Sequence, residues 1–170
     1  SLGAAKGADS MAMFTLGTGL GGAYIADGKI LSGVNGAAGE FGHEVIVVDG
    51  AVCSCGRSGC SEMYVSASAL RDAGKAAAKA NPQSILYKKT VSTLRFGAKE
   101  VIDAANEGDV TAGEVYRKYL KYLSTAMANI INLFQPEVFV IGGGMSHAGD
   151  ALLIPLKEMV TDQVYSRTMD

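Results

Sequence analysis

The sequence predicts an α/β domain, and three observations predict it. Two β-type runs near the start are linked through glycine, and a long helix with one apolar face comes much later. After that helix, Val138-Phe139-Val140-Ile141 is wholly apolar and reads as a buried strand. Strands first, helices next and a late buried strand put sheet and helices around one core.

Each element follows in order. Met11-Ala12-Met13-Phe14-Thr15-Leu16 predicts a buried strand. Gly17-Thr18-Gly19 predicts a tight turn and Gly22–Ala26 a second strand, with Asp27-Gly28 as a hairpin signal before Lys29-Ile30-Leu31. A glycine-studded loop runs from Gly33 to Gly42, and His43–Val48 reads as extended. Ser61 can cap a helix reaching about Ala80, where Asn81-Pro82 stops it. Ala98–Asn106 predicts a shorter helix. Thr111-Ala112-Gly113-Glu114 has the spacing of a capping box. Behind it Tyr116, Leu120, Leu123, Met127, Ile130, Ile131 and Phe134 recur at three- and four-residue steps, one apolar face that Pro136 ends. That face reads as core, or as a dimer contact. A last helix spans Ala151–Val160. No repeat or linker divides the 170 residues, which read as a single domain.

Composition excludes several function classes. Hydrophobic residues at 48% and charged residues at 19% make a folded core, not a disordered chain. The net charge is −2 with scattered bases, which argues against a nucleic-acid face built on clustered Lys and Arg. No apolar run approaches the roughly 18–20 residues of a membrane span. Ser1 to Lys6 lacks the basic-then-apolar order of a signal peptide.

Chemistry concentrates in two places. Gly17-Thr18-Gly19-Leu20-Gly21-Gly22 matches G-x-G-x-x-G, but a strand and a hairpin follow it where a dinucleotide fold needs a helix. A glycine turn of this kind still lets bare backbone N–H groups approach a phosphate, with the Thr18 hydroxyl beside them. By itself it equally fits a plain tight hairpin. The second place holds all three cysteines, Cys53, Cys55 and Cys60, ten to seventeen residues after His43. One imidazole and three thiolates are the ligand set of a closed tetrahedral zinc site, so the metal is expected to be structural. Clustered thiols of odd number point to a reducing compartment, the cytoplasm.

Zinc would also organise two acids. Glu40 precedes His43 by three residues and Glu62 follows Cys60 by two. A metal joining His43 to Cys60 would bring both carboxylates near the imidazole nitrogen that the metal does not use. Carboxylates accept strongly from hydroxyls, so this group suits a polyol. A glycosidase-like acid/base pair would use the acids too, but leaves the glycine turns without a role.

Three stretches together resemble the ROK family (repressor, open reading frame, kinase). They are Leu16-Gly17-Thr18-Gly19-Leu20-Gly21-Gly22-Ala23, Gly36-Ala37-Ala38-Gly39-Glu40-Phe41-Gly42-His43 and Cys53-Ser54-Cys55-Gly56-Arg57-Ser58-Gly59-Cys60-Ser61-Glu62. Val140-Ile141-Gly142-Gly143-Gly144-Met145-Ser146 resembles the family's late nucleotide-binding turn. The resemblance implies an actin/hexokinase-like (ribonuclease H-like) α/β fold with a mixed sheet, packed helices and a zinc-bearing loop. It implies ATP- and Mg2+-dependent phosphorylation of a hexose, with glucose as the reference, at the 6-hydroxyl. Carried over, Glu40, His43 and Glu62 contact the sugar, and His43, Cys53, Cys55 and Cys60 bind zinc. Thr18 and Gly19 lie by the phosphates, and Gly142, Gly143 and Gly144 by the nucleoside. The family's catalytic Asp, in an Asn-Asp-x-Asn stretch, has no counterpart here, nor has its first phosphate hairpin. The resemblance therefore implies the larger, C-terminal domain of such a kinase, truncated at both ends and inactive alone. It also admits the sugar-sensing domain of a ROK transcriptional regulator.

Overall fold

The structure is a computed structural model and describes residues 3–166. The chain ends that bear on the signal-peptide and truncation expectations, Ser1-Leu2 and Met169-Asp170, lie outside the described residues. A four-stranded mixed sheet has the order β3-β2-β1-β4. β1 (Met11–Leu16) and β2 (Leu20–Ala26) pair antiparallel, and β2 pairs the same way with β3 (Lys29–Ile30). Asp27 and Gly28 turn that hairpin with φ of 50° and 71°, the left-handed pair that a two-residue turn demands. β4 (Val138–Gly142) lies parallel to β1.

Helices cover the sheet face bearing Ala12, Phe14 and Leu16, all fully buried. α5 (Val110–Phe134) is the central one, packed against α2 (Ala67–Ala80), α4 (Ala98–Asn106) and α6 (Asp150–Thr161). Phe14 meets Phe139 of the neighbouring β4 edge-on at 4.9 Å, and Tyr24 meets Phe134 at 4.7 Å, the second pair joining sheet to helix. The apolar face of α5 is core: Leu120, Leu123, Met127, Ile130 and Ile131 are buried within this chain. The expected dimer contact through that face is corrected accordingly, because its surface is already spent on the sheet and neighbouring helices.

Other expectations change in detail. The single helix predicted from Ser61 to Ala80 is two, α1 (Glu62–Val65) and α2, broken at Ser66. Ser66 is extended and caps α2 through the Ala69 N–H, whereas Ser61 caps nothing and donates to Phe41 O at 2.8 Å. Asp109, not the Thr111 box, caps α5 by accepting from Ala112 N–H, and its other oxygen accepts from Ile85 and Leu86 at the start of α3 (Ile85–Ser92). His43–Val48 is not a strand: Phe41–His43 form a 3-10 turn and only Val45 bridges, to Cys60. Pro155 sits inside α6, where its ring denies the Ala151 carbonyl a helix partner; the Tyr116 hydroxyl donates to that carbonyl at 2.9 Å instead.

Candidate functional site

Two glycine turns meet at one end of the sheet. Thr15 pairs with Gly142 across the parallel β1–β4 ladder, so Gly17-Thr18-Gly19 and Gly142-Gly143-Gly144 leave from the carboxyl ends of neighbouring strands. That is where open α/β sheets bind ligands. Gly143 has φ of 80° and a Cβ there would run into the Leu16 backbone, so the second turn rests on the first. The break at Ser66 now acquires a reason. It frees the Ala67 N–H to donate to Gly17 O at 2.8 Å, while Glu62 Oε2, from α1, accepts from Leu20 N–H at 2.8 Å. A methyl on Gly19 would strike that same Glu62 oxygen. Thr18 stays exposed on the open side.

Beside Gly144 is a cavity of about 470 Å³, lined by Ala67, Ile102, Asn106, Met145, His147 and Ala148 among others. Apolar walls with a few polar groups suit a planar base. Ile102 and Asn106 on α4 carry no local signal in the sequence, since only the packing of α4 against the 3-10 turn Gly144–Ala148 brings them beside Met145. His147 is exposed, and its Nδ1 lies 3.1 Å from Gly144 O.

On the other side of Glu62, His43, Cys53, Cys55 and Cys60 turn their donor atoms toward one point, all within 4.8 Å of one another. Cys53 Sγ lies 3.6 Å from His43 Nδ1, and Cys55 Sγ lies 3.6 Å from Cys60 Sγ. A zinc–sulfur bond of about 2.3 Å makes a tetrahedral edge of about 3.8 Å, so the donor set and its spacing fit a closed zinc site. Burial pushes the Cys60 thiol up to about 11, while the Arg57 backbone amide lowers that of Cys55. A buried thiol of that kind becomes a thiolate when a cation compensates it. With Nδ1 facing the sulfurs, Nε2 is the nitrogen left over.

Backbone bonds stitch the two acid-bearing segments together. Glu40 is exposed and heads the 3-10 turn, its carbonyl accepting from His43 N–H at 3.0 Å. Ser61 N–H donates to Glu44 O at 2.7 Å, and Gly42 packs on the Leu20 carbonyl. The turn with Glu40 and His43 and the helix with Glu62 thus converge on Leu20, next to the first glycine turn.

The whole sequence matches the ROK family profile over residues 1–169. The chain belongs to the ROK family. Its ROK relatives include a glucokinase of Thermotoga maritima, 39% identical over 162 residues, which cover 95% of this chain and 51% of the relative. A xylose repressor of Caldicellulosiruptor bescii is 31% identical and covers 89% of this chain and 38% of its own length. The chain thus spans about half, or less, of the curated relatives it matches. Among solved structures, a ROK glucokinase from Streptomyces griseus in complex with glucose and AMPPNP superposes with a TM-score of 0.88 at 33% identity, covering 99% of this chain and 55% of that one. The mixed sheet and packed helices therefore superpose on those of that ROK glucokinase. Among the described residues, no helix is long and apolar enough to cross a membrane.

Proposed function

We propose that this chain is the sugar- and nucleotide-holding part of an ATP-dependent hexose kinase acting on the 6-hydroxyl, with glucose as its first substrate. One observation carries the reading: Glu62 spends one carboxylate oxygen on Leu20, at the phosphate-type turn, and keeps the other for a ligand. A sugar held by Glu62 is thereby set beside the turn that would hold the phosphates, and proximity is most of what phosphoryl transfer asks of a protein. Likeness to the Thermotoga and Streptomyces glucokinases supports the same substrates.

Each group has a task. Glu40 and Glu62 accept from sugar hydroxyls, and His43 Nε2 donates or accepts beside them. Thr18 and the Gly19 backbone face the phosphates, whose charge Mg2+ neutralises when bound. Gly142, Gly143 and Gly144, with the adjoining cavity, take the nucleoside. His43, Cys53, Cys55 and Cys60 hold structural zinc, which supplies no chemistry beyond closing the loop. The base that takes the 6-hydroxyl proton is none of these. The reading assigns it to an Asp outside residues 1–170, so these residues alone should show no turnover. ATP as donor and reduced thiols as metal ligands favour the cytoplasm, and a homodimer is the assembly we favour, its contact lying away from the buried face of α5.

A coupled assay with glucose and ATP on the full natural polypeptide tests this. Glu40→Ala and Glu62→Ala should each lower kcat/KM at least 100-fold, mainly by losing sugar affinity. Unchanged kinetics in both would overturn it. The xylose repressor likeness favours a second reading, a sugar-sensing regulator domain. Glucose binding without phosphoryl transfer, together with binding to duplex DNA, would select that one.

A further inference from the structure

Glu44, the residue after His43, is not one that sugar or zinc binding calls for. It is nonetheless the most tied residue of the turn. Its N–H donates to Phe41 O at 3.2 Å, its carbonyl accepts from Ser61 N–H at 2.7 Å, and its side-chain Oε1 accepts from Asn129 Nδ2, on α5, at 2.6 Å. The other oxygen, Oε2, is buried without a hydrogen-bond partner among the described residues. Burying a half-paired carboxylate costs stability that an apolar side chain of the same size would not. Polar groups kept at such a cost concentrate where geometry matters for function.

We propose that the Glu44–Asn129 pair is a positioning strut: it sets the height of the Phe41–His43 turn above α5, and through it the place of the His43 ring and of Glu40. α5 has eleven buried residues and packs against α2, α4 and α6. The loop of Glu40 to Cys60 carries few buried side chains, chiefly Phe41, Cys53 and Cys60, and lies otherwise near the surface. Glu44 is the one side chain of the turn given a hydrogen bond to α5, and the chain from Glu44 Cα to His43 Cα is a single peptide unit. Zinc fixes the donors to one another; the strut fixes that cluster to the domain. Without it the donors would still close and the turn would keep its ties to α1, through Ser61 N–H on Glu44 O, and to Phe134, through the Phe41 ring, but the His43 ring and Glu40 would lose the hydrogen bond that fixes their angle to α5. The two arms of the sugar cup would lose their mutual register.

The inference rests on the sugar-binding reading, and the test separates the two. In the full natural polypeptide, Glu44→Gln keeps an oxygen for Asn129 and should leave glucose affinity within about two-fold of wild type. Glu44→Leu and Asn129→Leu remove the strut and should raise the glucose KM at least five-fold while kcat changes less than two-fold. Zinc content should stay at one per chain in all of them. The melting temperature of Glu44→Leu should change little, since an unpaired buried oxygen is gone but the Asn129 amide loses its acceptor. A loss of stability in Glu44→Leu and Asn129→Leu with unchanged KM would overturn the strut, as would Glu44→Gln behaving like Glu44→Leu. If Glu44→Leu fails to fold, Asn129→Leu alone decides. A wild-type polypeptide that binds no sugar sinks the sugar-binding reading instead.

Discussion

Single residues carry sharply different costs in this molecule. Gly19 can be tested without touching the core: a methyl there meets only the Glu62 carboxylate, which would be pushed off Leu20. Gly19→Ala should therefore weaken glucose binding by at least ten-fold while the melting temperature moves little, read by titration calorimetry and a thermal scan of the same sample. Gly143 is the opposite case. Its φ of 80° and the Leu16 backbone against its Cα leave no room for a side chain. Gly143→Ala should cost at least about 2 kcal/mol in denaturant melts, because the backbone itself must shift. The candidate cup residues Glu40, His43 and Glu62 stand out in the sequence because a histidine, three cysteines and two acids crowd one short window. Asn106 and Ile102 do not, since a cavity wall made of ordinary helix residues has no local signature. Glu44 was passed over for the same reason: its meaning lies in Asn129, 85 residues away.

At the scale of elements, caps and breaks matter more than helix preference. Asp109 serves two helices at once, holding Ala112 N–H of α5 with one oxygen and Ile85 and Leu86 N–H of α3 with the other. Asp109→Ala leaves three backbone donors, two of them buried, without partners and should cost about 2 kcal/mol or more in a urea melt, above an ordinary lost cap. β1, the β2–β3 hairpin, α4 and β4 were legible because period and turn chemistry agree along a few consecutive residues. The break at Ser66 was not. Nothing in Glu62–Ala80 forbids a continuous helix; the Gly17 carbonyl, drawing the Ala67 N–H, is what interrupts it. Likewise Thr111 looked like a cap because Glu114 follows it, yet Asp109 wins by reaching α3 as well. The extended reading of His43–Val48 failed because a loop organised around four donor atoms follows their geometry and not strand period.

For the molecule as a whole, the core sits between the sheet and α5, and two tyrosines mark it. Burial pushes the Tyr116 phenol up to about 12 and raises that of Tyr119 as well, while an unfolded tyrosine titrates near 10. The folded state thus holds its proton where the unfolded state has lost it. Their contribution to stability is complete below about pH 10 and is lost as the pH climbs toward 12. Urea melts at pH 8, 10 and 11.5 should show that decline, and Tyr116→Phe should make it shallower while Tyr119 keeps the rest. The larger claim concerns how one ion organises a surface: an imidazole shared between metal and carbohydrate ties a loop to the glycine turn where phosphate would lie. The most direct test is glucose titration of the full natural polypeptide with its zinc measured, then stripped by chelator, then restored. The account predicts one zinc per chain, glucose binding lost with the metal and recovered with it. A polypeptide that holds no zinc, or that binds glucose equally well without it, would contradict the account.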